Sequence, residues 1–318
     1  MKDKIWLIGA GPMAVDYAKV LDALSVKYEV IGRSEQSAIN FEEVTNHQVH
    51  KGGLEKWLSK SPTKIPDTAI VAVGVENLAG ITISLLNGGF KNILLEKPGG
   101  LSLGQIQKVV ELSKKEKANV LVAYNRRFYA SVIRAKEMVE SDGGVKSFNF
   151  EFTEWAHTIE PLIKAQGVKE AWLLANSTHV IDLSFYLGGI PSEFTAYVAG
   201  GLSWHPSGSI YSGAGRCQNG ALFSYQANWE SAGRWSLEIL TSKRRLILKP
   251  LERLQVQEKG SVQVNDVDGI DYSYDEKFKP GLFLQVERFL ENDFKSMISI
   301  ISQEKAASIY AKIGRIKN

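Results

Sequence analysis

The first 124 residues alternate short apolar runs with longer segments of helical periodicity. Residues 77–86 and 103–117 carry apolar side chains at the spacing of one helix face. The apolar runs around them predict buried strands at residues 4–8, 68–73, 92–95 and 119–123, and residues 27–31 are predicted to form the second strand. Because these strands alternate with helices, residues 1–124 are predicted to form one α/β domain around a doubly wound parallel sheet.

The pattern changes after Gly143 and Gly144. Several strand-like segments follow one another with few helices between them, at residues 145–155, 194–198, 220–229, 234–241, 244–248 and 253–258. Helices are predicted at residues 131–140, 172–187, 282–292 and 303–316. Strands that are not separated by helices favour antiparallel pairing, so residues 125–318 are predicted to form an α+β domain with a large, open, mainly antiparallel sheet.

A glycine turn joins the first strand to the first helix. It reads Gly9-Ala10-Gly11-Pro12-Met13-Ala14 and matches the Rossmann dinucleotide fingerprint G-x-G-x-x-G/A. Gly9 permits the tight turn, Gly11 lets the backbone approach a pyrophosphate, and the small Ala14 allows the helix to pack closely. The helix N-terminus presents N–H groups and partial positive charge to the phosphates. The alternative is an ordinary tight turn, which also uses glycines.

The end of the second strand indicates which dinucleotide binds. NAD-binding folds usually place an Asp or Glu there to bond the ribose 2′-hydroxyl, whereas an arginine accommodates the 2′-phosphate of NADP. Here Arg33 and Ser34 come first and Glu35 lies one step further along the chain. The sequence therefore predicts that NADP is preferred, with NAD as the alternative and a solvated surface arginine as the structural reading of Arg33.

Composition restricts the classes of partner. The net charge of +3 over 318 residues gives no reason to expect nucleic acid or an anionic membrane, and no apolar run approaches the roughly 18 residues that span a bilayer. Cys217 is the only cysteine, which together with a first strand near the N-terminus favours a cytoplasmic protein. His47 and His50 have no third ligand in sight, so no metal is expected.

Four motifs occur in an order that resembles one protein family. The glycine turn is followed by Glu96-Lys97-Pro98, by Asn125-Arg126-Arg127 and by a helix that bears His179-x-x-Asp182. In this the chain resembles the glucose–fructose oxidoreductase / inositol dehydrogenase (Gfo/Idh/MocA) family along essentially its whole length. The resemblance implies NAD(P)-dependent oxidation or reduction of a sugar, nucleotide sugar or other sugar derivative.

The resemblance assigns the proton chemistry to Lys97 and His179. Lys97 follows the end of a parallel strand, where ligands of open α/β sheets bind, and a depressed pKa would suit it to proton transfer. The bond between Lys97 and Pro98 is expected to be cis. His179 corresponds to the family's acid/base histidine, but Ala175 stands where an aspartate usually precedes it. Asn176 remains as a hydrogen-bonding neighbour, and Asp182 is either an orienter of the imidazole or structural.

Further contacts are expected by the same resemblance. Glu96 and Arg126 are expected at the cofactor, with one of Arg126 and Arg127 reaching the nicotinamide or the substrate and Arg127 otherwise a surface ion-pair residue. The expected substrate-binding residues are Lys97, Asn125, Trp155, Trp172, Asn176 and His179. His157 and Lys164 fall in the same region of the chain, and a core or surface role is an equal alternative for them and for the two tryptophans.

Two other functions remain open at this point. One is a non-catalytic NADP-binding regulator, which the loss of the aspartate at Ala175 permits and the retention of Lys97 disfavours. The other is a reductase of a non-sugar carbonyl or a tetrapyrrole. In either case the sheet face that carries Phe223, Tyr225 and Trp229 is expected to be too apolar for water, so a homodimer or homotetramer built on that sheet is predicted.

Overall fold

The computed structural model describes residues 4–60, 62 and 65–315. Its strands are β1 Ile5–Ile8, β2 Tyr28–Gly32, β3 Val49–Lys51, β4 Thr68–Val71, β5 Asn92–Glu96, β6 Asn119–Ala123, β7 Ser147–Glu151, β8 Pro191–Ala199, β9 Ile210–Cys217, β10 Leu222–Asn228, β11 Ser236–Leu240, β12 Arg244–Leu248, β13 Gln255–Glu258, β14 Asn265–Asp266 and β15 Ile298–Ser299. Its α-helices are α1 Pro12–Ala23, α2 Glu35–Thr45, α3 Gly53–Ser59, α4 Leu78–Asn87, α5 Leu103–Lys115, α6 Ala130–Ser141, α7 Ala156–Ile159, α8 Thr178–Gly188, α9 Ser273–Lys277, α10 Leu282–Leu290 and α11 Ile300–Ile313.

The chain forms two compact units. The first unit comprises Met1–Tyr124 and Lys277–Lys305, and the second comprises Asn125–Glu276 and Ala306–Asn318. The division near residue 124 agrees with the change of pattern in the sequence. Residues 277–305, however, pack with the first unit, because α10 contributes Leu282, Phe283, Val286 and Phe289 to the apolar core around β1 and α1. The second unit is therefore not one continuous stretch of chain.

The first unit contains the predicted Rossmann sheet. Its seven strands lie in the order β15-β6-β5-β4-β1-β2-β3, and all neighbours pair in parallel except β15 with β6. The four residues of β1 are all buried, as its unbroken apolar run predicts. This order reverses direction at β1 and β4, which is where open α/β sheets bind ligands at the carboxyl ends of their strands.

The second unit contains the predicted open sheet. Its eight strands lie in the order β14-β13-β12-β11-β7-β10-β9-β8, antiparallel throughout except for β7 with β10. The sequence did not indicate β9, since Gly213 and Gly215 interrupt its alternation. Both glycines are needed there, because a Cβ at Gly213 would collide with the Tyr225 ring and one at Gly215 with the backbone of β8.

One sheet face of the second unit corrects an expectation. Phe223, Tyr225 and Trp229 are buried within the chain itself, at 2 to 3% exposure. Phe185 of α8 packs edge-on against Phe223 at a centroid distance of 5.2 Å, so this helix covers the apolar face. The argument that this face must be covered by another subunit is therefore wrong, and the oligomer stays a prediction that needs another basis.

Helix boundaries differ from the predictions in two places. The predicted helix over residues 172–187 is a π-helical segment, Leu173–Ser177, followed by α8. The last helix begins at Ile300, earlier than predicted, and residue 316, where it was predicted to end, lies outside the described residues. The bond between Lys97 and Pro98 is cis, as the resemblance implied. No described helix is long and apolar enough to cross a membrane.

Candidate cofactor and substrate sites

A cleft of about 520 Å³ opens at the carboxyl ends of β1, β2 and β4 in the first unit. Gly9, Ala10 and Gly11 form one wall of it. Gly9 has φ +124°, and a Cβ there would collide with the carbonyl oxygen of Ala72, so only glycine fits this turn. A Cβ at Gly11 would meet nothing within 4 Å, which leaves open space beside the backbone for a ligand.

The start of α1 suits a pyrophosphate. Gly11 is the N-cap and makes no side-chain capping bond, Pro12 occupies the first helical turn, and that turn contains no acidic residue. An N-terminus with these features offers N–H groups and partial positive charge to an anion. Met13 packs against the core of the unit and Ala14 is fully buried, so both support the helix rather than line the cleft. The chemistry of this cradle fits a dinucleotide.

The end of β2 brings Arg33, Ser34 and Ser37 into the same cleft. Ser34 is the N-cap of α2 and accepts a bond from the backbone N–H of Ser37 at 3.4 Å. Arg33 donates to the side chain of Asn77 at 3.4 Å. Two hydroxyls and a guanidinium thus meet at one end of the cleft, as a 2′-phosphate requires.

The carboxylates near this end have other partners or positions. Glu35 pairs with Lys51 at 2.9 Å and does not line the cleft. Glu55 and Glu76 do line it, and Glu76 accepts a bond from Asn77 at 2.6 Å. Glu35, the residue that in sequence competes with Arg33 for the ribose, is therefore held away by a salt bridge.

The structure places Glu96 against α1 instead of in the cleft. The Tyr17 hydroxyl donates to Glu96 at 2.8 Å, and burial raises the pKa of the Glu96 carboxyl while Lys97 acts in the opposite direction. Lys97 itself is partly buried and follows Glu96 at the end of β5. The carbonyl of Pro98 accepts a bond from Gln303 at 2.9 Å, and Gln303 also reaches the Tyr124 hydroxyl at 3.1 Å. This turn is thus anchored on both sides of Lys97.

His179 lies one residue into α8 of the second unit and is 8% exposed. The two residues that precede α8 at i−3 and i−2, Asn176 and Ser177, both donate to the buried carboxylate of Glu154, at 3.0 Å and 2.7 Å. Ala175, also buried, leaves its position without charge. Glu154 therefore supplies a carboxylate that binds the segment leading into His179.

Asp182 is structural. It accepts two bonds from Arg127, at 2.6 Å and 2.8 Å, and a weaker one from Tyr310 at 3.5 Å. Arg127 also lies over the Tyr186 ring at 4.6 Å. Arg127 forms an ion pair, as expected, but the pair is buried, so the expected surface position is wrong. It joins the 3₁₀ segment Asn125–Phe128 to α8.

Two guanidinium groups contact the ring of Trp235. Arg126 is 4.6 Å from its ring centroid and Arg234 is 4.7 Å from it, while the ring of His179 lies 6.0 Å away. Arg234 also covers Trp155 at 4.6 Å, and Trp155 donates to the carbonyl of Gly233 at 2.8 Å. Burial first, and then Arg234, hold the pKa of Arg126 below its usual range, while Tyr129, Glu252 and Glu154 act the other way.

The other expected substrate residues take different places. Trp172 is buried against Trp204 at 6.1 Å and belongs to an aromatic cluster with Trp229, so the expectation that it binds substrate is not supported by its position. Asn125 is 6% exposed at the start of its 3₁₀ segment. His157 and Lys164 are exposed.

Sequence reasoning missed Glu154, Arg234 and Trp235, which contact one another or the segment around His179. The sequence offers one indication of them. Two short segments, Thr153-Glu154-Trp155 and Arg234-Trp235, flank the ends of the neighbouring strands β7 and β11. That register could not be read from the chain. Within the described residues, no group of three or more His, Cys, Asp or Glu side chains is arranged to hold a metal ion.

Comparisons with known proteins agree with this geometry. The chain is 29% identical over 161 residues to a trans-1,2-dihydrobenzene-1,2-diol dehydrogenase of Xenopus tropicalis, a match that covers 48% of this chain and 47% of that relative, about half the length of each. The fold of this chain is similar to that of levoglucosan dehydrogenase in complex with NADH. The TM-score is 0.79 at 18% identity, over 98% of this chain and 96% of the other. It is also similar to UDP-N-acetylglucosamine 3-dehydrogenase GnnA from Acidithiobacillus ferrooxidans, with a TM-score of 0.74 at 12% identity over 99% and 97%.

A match to a protein family covers the N-terminal part of the chain. Residues 4–124 match Gfo/Idh/MocA, described as an oxidoreductase family with an NAD-binding Rossmann fold. These residues contain the glycine turn, the end of β2 and the Lys97 turn. Through this region the chain is similar to the Gfo/Idh/MocA family of NAD-binding oxidoreductases.

Proposed function

We propose that the protein is an NADP-preferring oxidoreductase that transfers a hydride between the nicotinamide and a sugar, nucleotide sugar or related sugar derivative. The observation that carries the cofactor preference is the meeting of Arg33, Ser34 and Ser37 in one cleft while Glu35 is bound to Lys51. The substrate class is supported by relatives that are named as dehydrogenases of a diol, of levoglucosan and of a nucleotide sugar.

The residues of the first unit have separate tasks in this proposal. Gly9 and Gly11 bring the backbone to the pyrophosphate, and the N-terminus of α1 stabilises its charge. Arg33 and Ser34 hold the 2′-phosphate. The bound cofactor supplies the hydride acceptor or donor, which no protein side chain can replace.

Lys97 and His179 are assigned the proton. Oxidation of an alcohol requires a base for the hydroxyl proton, and reduction of a carbonyl requires an acid. An ammonium next to a nicotinamide cation loses its proton more readily, and an imidazole titrates near neutral pH. Glu154 would hold the segment before His179 through Asn176 and Ser177. These two residues directly follow Ala175, which stands at the position of the family's aspartate.

Replacement of Lys97 tests the assignment. We expect Lys97→Ala to bind NADP(H) as tightly as the unchanged protein and to lose about 10²- to 10⁴-fold in turnover, the usual contribution of a general acid or base. A screen of sugars, sugar acids and nucleotide sugars for absorbance change at the nicotinamide provides the assay. Lys91→Ala is the matched control, because Lys91 is a half-exposed lysine of the same unit that pairs with Glu116. Full turnover in Lys97→Ala contradicts the assignment.

The same screen separates the rival functions. A regulator binds NADP(H) and produces no turnover with any compound, whatever residue stands at position 97. A reductase of a tetrapyrrole turns over that compound and no sugar. Turnover of at least one sugar derivative, lost in Lys97→Ala and retained in Lys91→Ala, is the result expected from the proposal.

A further inference from the structure

Two arginines of the second unit share one tryptophan, and nothing in the proposed hydride transfer requires them. Arg126 and Arg234 contact the ring of Trp235 at 4.6 and 4.7 Å. Guanidinium groups repel one another, so two of them at one indole are unfavourable unless anions lie nearby. The arrangement therefore needs a physical reason beyond packing.

Arg126 is the less satisfied of the two. It is partly buried, its Nε is buried without a hydrogen-bond partner, and no carboxylate lies within ion-pair distance of it in the part of the chain that the structure describes. Its close contacts are the faces of Trp235 and, at 5.8 Å, of Tyr129. A buried guanidinium donor without an acceptor costs free energy comparable to a lost charged hydrogen bond. A ligand oxygen would remove that cost.

Glu154 does not satisfy both arginines. Its carboxylate is almost fully buried and accepts bonds from Asn176 and Ser177, with Arg234 at 3.7 Å. Neutral donors of the segment before α8 thus occupy much of the hydrogen-bond-accepting capacity of the Glu154 carboxylate. Glu252 acts on Arg126 at longer range and also accepts a bond from Tyr129.

The cluster lies beside the candidate acid/base. The rings of Trp235 and His179 are 6.0 Å apart in the same unit, and Arg234 remains half exposed, so a ligand can reach it. An anionic substituent of a substrate beside His179 would lie close to these guanidinium groups.

We propose that Arg126 and Arg234, which both contact Trp235, form a subsite for an anionic group of the substrate, a carboxylate or a phosphate carried by the sugar. The substrate is then a sugar acid or a phosphorylated sugar and not a neutral sugar. This inference rests on the proposed function for its site, and it extends that function by naming the charge of the substrate.

Equilibrium binding tests the subsite without turnover. Quenching of tryptophan fluorescence is measured on the full chain, with and without NADP⁺, using D-glucuronate, D-glucose 6-phosphate and D-glucose as probes. Since a charged hydrogen bond contributes about 1.5 to 3 kcal/mol, we expect one or both anions to bind about 10- to 100-fold more tightly than glucose. Tight binding of glucuronate alone identifies the anionic group of the substrate as a carboxylate. Tight binding of glucose 6-phosphate alone identifies it as a phosphate. Binding of glucose as tight as that of both anions overturns the subsite.

Variants connect the effect to the two arginines. Arg126→Gln and Arg234→Gln are expected to lose most of the preference for the anion, and Arg234→Lys, which keeps the charge and loses the planar fork, to retain part of it. Arg253→Gln is the matched control, because Arg253 also lies over a ring, Tyr272 at 4.3 Å, and pairs with Glu276 at 3.4 Å. An unchanged preference in the folded Arg234 variants contradicts the proposal. Binding of anions without any turnover would refute the proposed function and leave the anionic subsite standing. Turnover of a neutral sugar without binding of anions would refute the subsite and leave the proposed function standing.

Discussion

Arg33 and Glu35 stand two positions apart after β2, and the structure gives their charges different partners. Arg33 faces the cleft beside Asn77, whereas Glu35 is paired with Lys51 at 2.9 Å. Because the Glu35 carboxylate is paired with the Lys51 ammonium, it repels a phosphate less. The Arg33 guanidinium donates one long bond to Asn77 and can also bind a phosphate. The proposed preference for NADP therefore depends on a salt bridge that the chain's local sequence does not reveal.

Replacement of Arg33 is the residue-scale prediction. We expect Arg33→Gln to weaken NADP binding by about 10- to 100-fold, the value of a charged hydrogen bond, and to leave NAD binding nearly unchanged because NAD has no 2′-phosphate. Titration of both cofactors measures this. Arg288→Gln, a half-exposed arginine of the first unit, serves as the control. Equal losses for NAD and NADP would refute the assignment of Arg33 to the phosphate.

His205 connects elements in the second unit. Its Nδ1 is bonded to the carbonyl of Lys169 at 3.0 Å, and its Nε2 to the hydroxyls of Tyr211 and Ser207 at 3.1 and 3.0 Å. It is fully buried, and burial lowers the pKa of its imidazole, with bonds to Lys169 and Glu170 acting in the opposite direction. The segment before the π-helix and strand β9 are thus held together by a neutral histidine.

Stability should therefore fall in acid. The unfolded imidazole takes up a proton as the pH falls through about 6.5, whereas the folded one resists it until a lower pH, so protonation favours the unfolded chain. We expect the free energy of unfolding in urea to decrease between pH 7.5 and 5.5, and part of that decrease to disappear in His205→Gln. His157→Gln, which changes an exposed histidine, should keep the full decrease. Identical pH dependence in His205→Gln and the unchanged protein would contradict the role of His205.

Elements differed in how far the sequence predicted them. The buried parallel strands were predicted well, because residues covered on both faces are apolar throughout. Strand β9 was not, since its glycines are set by close approach of β8 and Tyr225 and not by its own pattern. The π-helix before α8 depends on Glu154, 22 residues from Asn176, and so could not be read from local sequence.

At the scale of the molecule, the sheet of the second unit has one apolar and one polar face. The apolar face packs under α8, and the other exposes a shallow depression of about 730 Å³ lined by residues such as Asn149, Ser224 and Gln226. The large side chains of Tyr197 in β8 and Leu222 in β10 remain exposed to water, at 66% and 54%. They give the predicted oligomer a basis other than the buried aromatic residues.

The assembly prediction follows from these two residues. We expect light scattering to give a multiple of 35.2 kDa and Tyr197→Arg with Leu222→Arg to reduce it towards one chain, because charged side chains oppose burial at an interface. Val262→Arg, at an exposed position outside the sheet, is the control. A mass of one chain for the unchanged protein would refute the prediction.

The sequence by itself determined the features that depend on neighbours along the chain. These are the Rossmann strands, the turn at Gly9 and Gly11, Arg33 at the end of β2 and the Lys97 turn, because each follows from local pattern and backbone geometry. Only the tertiary structure decided the rest: the return of residues 277–305 to the first unit, the cover over Phe223, and the meeting of Arg126, Arg234 and Trp235. Those features arise where segments distant in sequence bury apolar surface against one another and pair their charges. The local sequence pattern does not indicate which segments meet.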